Sequence, residues 1–348
     1  MIVGVTGLFC AGKDTFAAML EKRSFAHISL SDMIRDEILR RGQEITHERT
    51  VAVGNELRRR FGPNVLAEMA LRRLEPTMNT VVTSIRNPGE VAALRRAPDF
   101  AMVFIDAAPQ ARFERSARRG RAGDFRDWGA FEAAEREQMA SDDPAAQQLA
   151  ACRDLADLRL SNDSTLEEFE AKTVEALQRI QRDFMPPRPS WDAYFMAIAE
   201  VTVTRSNCVK RRVGAVIVKN KQIVSTGYNG TPKGIANCDE GGCPRCWSFG
   251  PSGEGVGECL CVHAEENAIV QAACNGISID GGTLYATLCP CSYCAKSIIN
   301  AGIKRVVYQG SYAMDETTRQ LFAEAGIESM RFEKPRARGL ELIGLEDS

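Results

Sequence analysis

One histidine, one glutamate and two cysteines in the second half of the sequence have the spacing of a catalytic metal site. His263 and Glu265 are separated by one residue, and Cys291 and Cys294 form a Pro-Cys-x-x-Cys run. A zinc ion that activates water keeps one position open, so it takes three protein ligands, here His263, Cys291 and Cys294. Glu265 would lie beside the metal and move a proton. The pattern predicts metal-assisted hydrolysis.

The alternative is a structural zinc knuckle next to an unrelated core histidine. The other two histidines, His27 and His47, lie in the first half of the chain, so His263 is the single imidazole of the second half. It stands beside a glutamate and upstream of the Cys-x-x-Cys pair. We therefore favour the catalytic interpretation.

This histidine, glutamate and cysteine pattern is a known signature of zinc-dependent nucleobase deaminases. Three segments, 205–216 (RSNCVKRRVGAV), 227–232 (GYNGTP) and 263–269 (HAEENAI), resemble deoxycytidylate deaminases, and the resemblance covers about 191–333. It implies a cytidine-deaminase-like fold, a homo-oligomer and conversion of dCMP to dUMP. It also implies activation by dCTP and inhibition by dTTP.

The resemblance also implies positions for the substrate. Asn229 would contact the sugar or the base. Arg211 and Tyr312 would bind the 5′-phosphate, together with Arg188. The family often has an arginine directly after this tyrosine, whereas Ala313 follows it here. Deoxycytidine triphosphate therefore stays an alternative substrate, in an enzyme that depletes dCTP during phage defence.

The glycine-rich motif around Asn229 has two interpretations. In related enzymes it helps to build an allosteric nucleotide site, which would here include Gly227, Tyr228 and Gly230. The glycines could equally be a device for turning the chain.

A cysteine-rich insertion precedes the catalytic motif and predicts a second, structural zinc. Cys-x-x-Cys and Cys-x-Cys spacings are typical of metal ligands, and flexible glycine-rich segments surround them. Buried thiols or a redox role are the alternatives, whereas Cys274 and Cys289 are expected in the core. Six candidates exceed one tetrahedral site, and which four bind is open: Cys208, Cys238, Cys243, Cys246, Cys259 and Cys261.

The first half begins with a strand-like run, a glycine-rich turn and a helix, the context of a phosphate-binding P-loop. The candidate residues are Gly7, Gly12, Lys13, Asp14 and Thr15. Asp14 occupies the position at which a Ser or Thr usually binds magnesium. The loop resembles that of deoxynucleoside monophosphate kinases, which implies ATP or a dNMP as ligand, with Mg²⁺ accompanying the nucleotide.

More of the first half resembles the same kinases. Asp32 and Arg35, with the segment from Ser84, would hold a monophosphate, and residues 160–163 would form the adenine-side loop. Four arginines would form a cationic lid: Arg112, Arg115, Arg118 and Arg119. An active kinase, a regulatory nucleotide-binding domain and a degenerate scaffold are the three alternatives.

Proline density and hydrophobic pattern divide the chain. Three prolines within 184–190 predict a linker between a P-loop domain at 1–183 and a deaminase domain at 191–333, with a tail at 334–348. Apolar runs at 2–6, 80–84 and 101–106 alternate with helical patterns and predict a parallel sheet. In the second half, a helix, a hairpin and further strand–helix alternation predict a three-layer α/β/α domain. The fold class is α/β throughout.

The net charge and the lengths of the apolar runs argue against two classes of partner, nucleic acids and membranes. The formal net charge is −2, so we expect no nucleic-acid partner, and the arginine clusters at 58–60 and 118–121 are expected on solvated helix faces. No apolar run approaches the ~20 residues that a bilayer span needs, and we expect a cytoplasmic protein without a membrane partner. The competing functions are a polynucleotide deaminase, a riboflavin-pathway deaminase, a nucleotide sensor and a kinase.

Overall fold

The computed structural model describes residues 1–119, 126–139, 143–251, 254–311 and 315–333. These residues form two compact units, the first Met1–Pro187 and the second beginning at Arg188. Among the described helices, none combines the length and the apolar character that crossing a bilayer requires.

The first unit contains a five-stranded parallel sheet with the order β2-β3-β1-β4-β5. The strands are β1 Ile2–Gly7, β2 Ala26–Ser29, β3 Thr80–Thr83, β4 Phe100–Asp106 and β5 Leu158–Ser161. The helices are α1 Lys13–Glu21, α2 Leu30–Arg40, α3 His47–Phe61, α4 Val65–Leu71, α5 Pro88–Leu94, α6 Pro109–Arg119, α7 Trp128–Met139, α8 Leu149–Asp154 and α9 Leu166–Asp183.

Both faces of this sheet are covered, because alternate residues of the central strand enter two different cores. Val3 and Val5 pack with α1 and α9, whereas Ile2 packs with α2–α5 on the opposite face. All six residues of β1 are buried, as expected for the centre of a parallel sheet. The chain leaves β1 towards β2 and β3 on one side and later adds β4 and β5 on the other. Ligands of such sheets bind at the carboxyl end of the strand where the direction changes, which here is the end of β1.

The second unit contains a mixed sheet with the order β10-β9-β8-β6-β7. The strands are β6 Gly214–Lys219, β7 Gln222–Tyr228, β8 Thr283–Leu288, β9 Arg305–Gly310 and β10 Glu328–Arg331. The helices are α10 Trp191–Val203, α11 Pro244–Trp247, α12 Ala264–Cys274, α13 Ser292–Asn300 and α14 Asp315–Glu324, with short 3₁₀ turns at Cys238–Glu240 and Val256–Glu258. Strand β6 is antiparallel to β7 and β8, and the others are parallel.

This sheet too is the middle of three layers. Ala215, Ile217 and Leu284 face α12, α13 and α14, whereas Val216 and Tyr285 face α10. The Asp192 carboxylate of α10 accepts hydrogen bonds from Arg305 Nη1 and Nη2, 2.6 and 2.9 Å away, and from the Tyr285 hydroxyl at 2.7 Å. This contact ties the outer helix to two strands. The α/β fold class is confirmed.

Several local expectations were incomplete. The strands β2 and β5 were not predicted, because both are four residues long and only partly buried. Arg58 does not lie on a solvated helix face: it is 4% exposed and paired with Glu90, which is wholly buried. Cys289 is buried as expected, but Cys274 is exposed at the end of α12.

Candidate active site and nucleotide site

The predicted metal ligands lie at the starts of two neighbouring helices. His263 is the residue immediately before α12, and Glu265 lies in the first turn of that helix. Cys291 occupies the corresponding position before α13, and Cys294 lies in the first turn of α13. Both helices pack on the same face of the sheet. Helix starts carry partial positive charge, which favours the thiolate form of cysteine.

The structure brings the three ligand atoms together. His263 Nδ1 lies 3.3 Å from Cys291 Sγ and 3.3 Å from Cys294 Sγ. All three atoms fall within 4.8 Å of one another, the arrangement that a metal ion with three protein ligands needs. The Glu265 carboxylate is 4% exposed, and its Oε2 lies 3.7 Å from Cys294 Sγ. The carboxylate is thus beside the three ligand atoms.

The charges in this group depend on one another. Hydrogen bonding to Cys291 raises the pKa of His263 to about 9. Hydrogen bonding from Cys294, followed by the neighbouring His263, lowers the pKa of Cys291 to about 4 against the opposing effect of burial. Burial raises the pKa of Glu265 above its usual range. A raised carboxyl pKa suits a group that takes up a proton and gives it back.

Asn229 holds the loop that precedes the sheet. Its Oδ1 accepts hydrogen bonds from the Val213 N–H at 2.8 Å and from the Ser206 hydroxyl at 2.7 Å. Its Nδ2 donates to the Arg211 carbonyl at 2.8 Å. Asn229 is 8% exposed. In this structure its side chain therefore positions the backbone of Arg211, and its predicted contact with substrate stays a prediction.

The predicted phosphate ligands are differently placed. Arg211 is exposed on the loop that Asn229 holds, and Arg188 is exposed at the start of the second unit. Tyr312 and Ala313 lie outside the described residues. The contact of these side chains with a phosphate stays a prediction.

Gly227 and Gly230 have packing roles beside the predicted metal ligands. A Cβ on Gly227 would lie 2.1 Å from the Ala264 carbonyl oxygen, so only glycine lets β7 approach α12 this closely. A Cβ on Gly230 would meet Asn207 Oδ1 at 2.5 Å. Gly230 also pairs with Val262, the residue before His263. The Tyr228 carbonyl accepts a hydrogen bond from Asn267 of α12 at 2.8 Å. These contacts give structural reasons for the motif, and its allosteric role stays a prediction.

The six cysteines proposed for a second metal all meet in one buried cluster: Cys208, Cys238, Cys243, Cys246, Cys259 and Cys261. They fall into two overlapping groups of four with metal-ligand spacing. The described cysteines are all free thiols.

The glycine-rich loop lies at the end of β1, where the sheet order predicts a ligand. Gly12 has φ 105° and immediately precedes α1, and a Cβ there would lie 2.2 Å from Asn162 Nδ2. Lys13 Nζ donates to the carbonyl oxygens of Gly7 and Leu8 at 2.9 and 2.6 Å. Burial, followed by the nearby Arg86 guanidinium, lowers the pKa of Lys13 to about 7.

Two cavities open on this loop, and Lys13 and Asp14 line both. One has a volume of about 730 Å³ and is also lined by polar and cationic side chains that include Asp32, Arg35, Ser84, Arg86 and Arg119. The other has a volume of about 460 Å³ and is lined by Gly12, Thr15, Arg115, Arg119 and Asn162 among others. The predicted lid residue Arg112 instead is buried against Glu135 and donates to the Ala107 carbonyl.

A buried ion pair beside the larger cavity was not predicted from the sequence. Arg58 Nε and Nη2 donate to Glu90 Oε1 at 3.0 and 2.8 Å, while Glu90 Oε2 accepts from the backbone N–H of Arg86 at 2.8 Å. The pair therefore fixes the loop that carries Arg86. Arg58 was expected on a solvated helix face, and no local signal indicated that it meets Glu90.

Comparisons with known proteins find relatives for both parts of the chain. A family model described as the cytidine and deoxycytidylate deaminase zinc-binding region matches residues 189–310. A UPF0200 protein of Thermococcus gammatolerans is 33% identical over 189 residues, which cover 52% of this chain and 96% of that protein, and it matches the first unit.

Two deoxycytidylate deaminases of yeasts are also similar. That of Saccharomyces cerevisiae is 48% identical over 152 residues, which cover 43% of this chain and 48% of that protein. That of Schizosaccharomyces pombe is 35% identical over 342 residues, which cover 96% of this chain and 98% of the relative, so that the similarity includes both units. The chain therefore belongs to the deoxycytidylate deaminase family.

Proposed function

We propose that this protein hydrolyses the exocyclic amino group of dCMP, giving dUMP and ammonia. The observation that carries the proposal is the convergence of His263 Nδ1 with the sulfur atoms of Cys291 and Cys294, with the Glu265 carboxylate beside them. Family membership and the zinc-binding family model support this chemistry.

One imidazole nitrogen and two sulfur atoms are ligands that zinc prefers, and their close spacing fits one ion. Bound by three protein ligands, zinc lowers the pKa of water towards about 7, which is the activation that hydrolysis at neutral pH requires. His263, Cys291 and Cys294 would hold the ion.

Glu265 moves the protons of the reaction. Its Oε2 accepts one proton from the attacking water and gives it to the ring nitrogen. The same carboxylate then takes the second proton, from the hydroxyl group left on the ring carbon, and gives it to the amino group, which departs as ammonia. Because burial raises its pKa, the protonated form of Glu265 is favoured, which suits a carboxyl that must hold a proton before it donates it. Its position in the first turn of α12 keeps the carboxylate beside the metal ligands.

Two reasons favour dCMP as the substrate. A relative that is similar over 96% of this chain is named for deoxycytidylate, and Arg211 offers a cation on the loop held by Asn229. In this proposal Asn229 contacts the sugar or the base, while Arg211, Tyr312 and Arg188 contact the 5′-phosphate. Preference for dCTP is the alternative that Ala313 leaves open. The subunits assemble as a homo-oligomer.

Ammonia release from dCMP, dCTP, deoxycytidine and a cytosine-containing oligonucleotide tests this function. Glu265→Gln should lower kcat for dCMP by about 10²- to 10⁴-fold, the usual contribution of a general acid–base residue. Glu266→Gln is the matched control, because Glu266 lies in the same helical turn but is exposed. It should leave kcat within a few-fold of the wild type.

The other outcomes separate the alternatives. Faster turnover of dCTP than of dCMP would replace the proposal by a dCTP-depleting enzyme. Turnover of the oligonucleotide alone would indicate a polynucleotide deaminase. No turnover of any substrate by zinc-loaded protein would indicate a nucleotide sensor.

The first unit supports a second function, nucleotide binding. Two cavities share Lys13 and Asp14, and the larger is lined by several cationic side chains. A phosphate chain bound at Lys13 would thus have a cavity on either side of it. A kinase needs such an arrangement, with the phosphoryl donor in one cavity and the monophosphate in the other. In this proposal the first unit binds ATP or a dNMP, with Mg²⁺, and regulates the deaminase activity of the second. That activity is raised by dCTP and lowered by dTTP.

Equilibrium binding of ATP and of dNMPs by the full chain tests this second function. Lys13→Ala should abolish ATP binding, whereas Lys22→Ala, at the exposed other end of α1, should not. Formation of ADP from ATP in the presence of a dNMP would establish a kinase. Binding without turnover, together with altered dCMP deamination, would establish a regulatory unit.

A further inference from the structure

The six-cysteine cluster of the second unit contains more ligand atoms than one metal ion can use. It comprises Cys208, Cys238, Cys243, Cys246, Cys259 and Cys261, and five of the six are buried. They come from the loop before β6, from the insertion between β7 and α12, and from the residues just before α12. The described residues of this insertion contain only two short helical turns and one four-residue helix.

The geometry of the cluster divides the sulfur atoms into two sets of four. One set is Cys208, Cys238, Cys246 and Cys261, and the other is Cys243, Cys246, Cys259 and Cys261. Within each set all sulfur atoms lie within 4.8 Å of one another. The two sets share Cys246 and Cys261. Six sulfur atoms therefore provide two complete groups of four.

The distances between sulfur atoms fit tetrahedral zinc. Zinc–sulfur bonds of about 2.3 Å at tetrahedral angles place neighbouring sulfur atoms about 3.8 Å apart. Cys208 Sγ lies 3.9 Å from Cys246 Sγ, and Cys259 Sγ lies 3.9 Å from Cys243 Sγ and 3.6 Å from Cys246 Sγ. A disulfide would require about 2.05 Å. The spacing is that of thiolates around metal ions.

We propose that these six cysteines hold two zinc ions that share Cys246 and Cys261 as bridging ligands. Cys208 and Cys238 complete the first tetrahedron, and Cys243 and Cys259 complete the second. Each short motif, Cys-x-x-Cys and Cys-x-Cys, thus supplies one terminal and one bridging thiolate. Two zinc ions on six cysteines are an established arrangement in other proteins.

Backbone N–H groups around the cluster suit this assignment. Two zinc ions and six thiolates carry a net charge of −2, which needs hydrogen-bond donors in a buried site. The Leu260 N–H donates to Cys243 Sγ at 3.3 Å. Backbone N–H groups of Lys210 and Arg211 donate to Cys208. Both sulfur atoms are terminal ligands, one in each tetrahedron.

The dinuclear centre also holds the residues that directly precede α12. Cys261 lies two residues before His263, and the intervening Val262 exchanges backbone hydrogen bonds with Gly230 at 2.8 and 3.2 Å. A bridging ligand at position 261 therefore anchors the residues that set the position of His263. In this proposal the dinuclear centre acts on catalysis by positioning the residues that lead to His263.

Zinc content per chain tests the proposal, by native mass spectrometry and elemental analysis of the full-length protein. The wild type and the inactive Glu265→Gln variant should both contain three zinc ions, two in the cluster and one at the active site. Cys208→Ala and Cys243→Ala should each contain two, and the double variant one. Cys274→Ala, which changes an exposed cysteine outside the cluster, should keep three.

The comparison of the two single variants is decisive. A single zinc in either set would give two ions in the wild type, and one of the two variants would then lose nothing. Either result would overturn the proposal. A second measurement needs no variant: ¹¹³Cd NMR of cadmium-substituted protein should show three signals, two of them coupled to each other through the bridging sulfurs and one, uncoupled, from the active site. Three uncoupled signals would overturn the bridging.

Discussion

In each of two proposed sites, burial shifts the pKa of one residue so that its neutral form is favoured. Lys13 in the phosphate loop has a pKa of about 7, chiefly because of burial. The pKa of Glu265 is raised for the same reason. In both cases the charged form is favoured again by an appropriate partner, a phosphate for the lysine and a cation for the carboxylate. Both residues are therefore prepared to change their protonation when a ligand arrives.

For Lys13 this predicts that ATP binding takes up a proton. Above pH 7 the ligand-free lysine is largely neutral, whereas the phosphate chain favours its ammonium form. The ATP association constant should therefore fall by up to about tenfold per pH unit between pH 7.5 and 9. Below pH 7 the lysine is already charged, and this contribution disappears. Isothermal titration calorimetry in buffers of different ionisation enthalpy measures the proton uptake.

Lys13→Arg is the control for that dependence. An arginine keeps its charge throughout this range, so the variant should bind ATP with little pH dependence between 7.5 and 9. The same slope in the wild type and in the arginine variant would show that another group takes up the proton.

At the level of elements, close approach of β7 to α12 places His263 and Glu265. A Cβ at Gly227 would lie 2.1 Å from the Ala264 carbonyl oxygen and 2.4 Å from the Ala268 nitrogen. Both atoms belong to the helix backbone and cannot rotate away. The strand and the helix would have to separate, and the start of α12 would move with respect to α13.

Gly227→Ala is therefore expected to lower both stability and activity. Overpacking of this kind costs about 1–3 kcal/mol of the free energy of unfolding. Urea denaturation measures this loss, and the kcat for dCMP measures the displacement of Glu265. Gly257→Ala is the matched control, because nothing lies within 4 Å of a Cβ at Gly257. Equal stability and activity of the two variants would contradict the packing argument.

The elements that the sequence predicted best are the buried strands of the first unit. The apolar runs at 2–6, 80–84 and 101–106 correspond to β1, β3 and β4, whose bounds differ from the predicted ones by one residue each. Strands β2 and β5 lie at the two edges of their sheet, where burial is partial and an apolar pattern is weak. Their position at the edges of the sheet explains why the local hydrophobic pattern did not predict them.

The residues of the candidate active site were easier to identify from the sequence than the contacts around them. His263, Glu265 and the Cys-x-x-Cys pair form short motifs in which one residue type does one chemical task. The Arg58–Glu90 pair joins residues 32 positions apart and depends on tertiary packing. Likewise, the spacing of the six cysteines predicted a metal site, but only the fold shows that two of them belong to both groups of four. Local chemistry can be inferred from spacing, whereas shared contacts require the three-dimensional arrangement.

For the whole molecule, the chain divides into two compact units that each bury their own apolar core. The proposed metal ligands all belong to the second unit, and the phosphate loop belongs to the first. Such chains commonly unfold in more than one step. Ligands that bind one unit should therefore stabilise that unit without an equal effect on the other.

Differential scanning calorimetry of the full chain should accordingly show two components. Removal of zinc by a strong chelator should lower the Tm of one component, the second unit, because structural zinc contributes folding free energy. ATP at about 100 times its Kd should stabilise the other component by about 2.7 kcal/mol. Lys13→Ala should abolish the ATP shift and keep the chelator shift. One component that moves with both treatments would mean that the units unfold together, so that nucleotide binding in the first unit stabilises the deaminase directly.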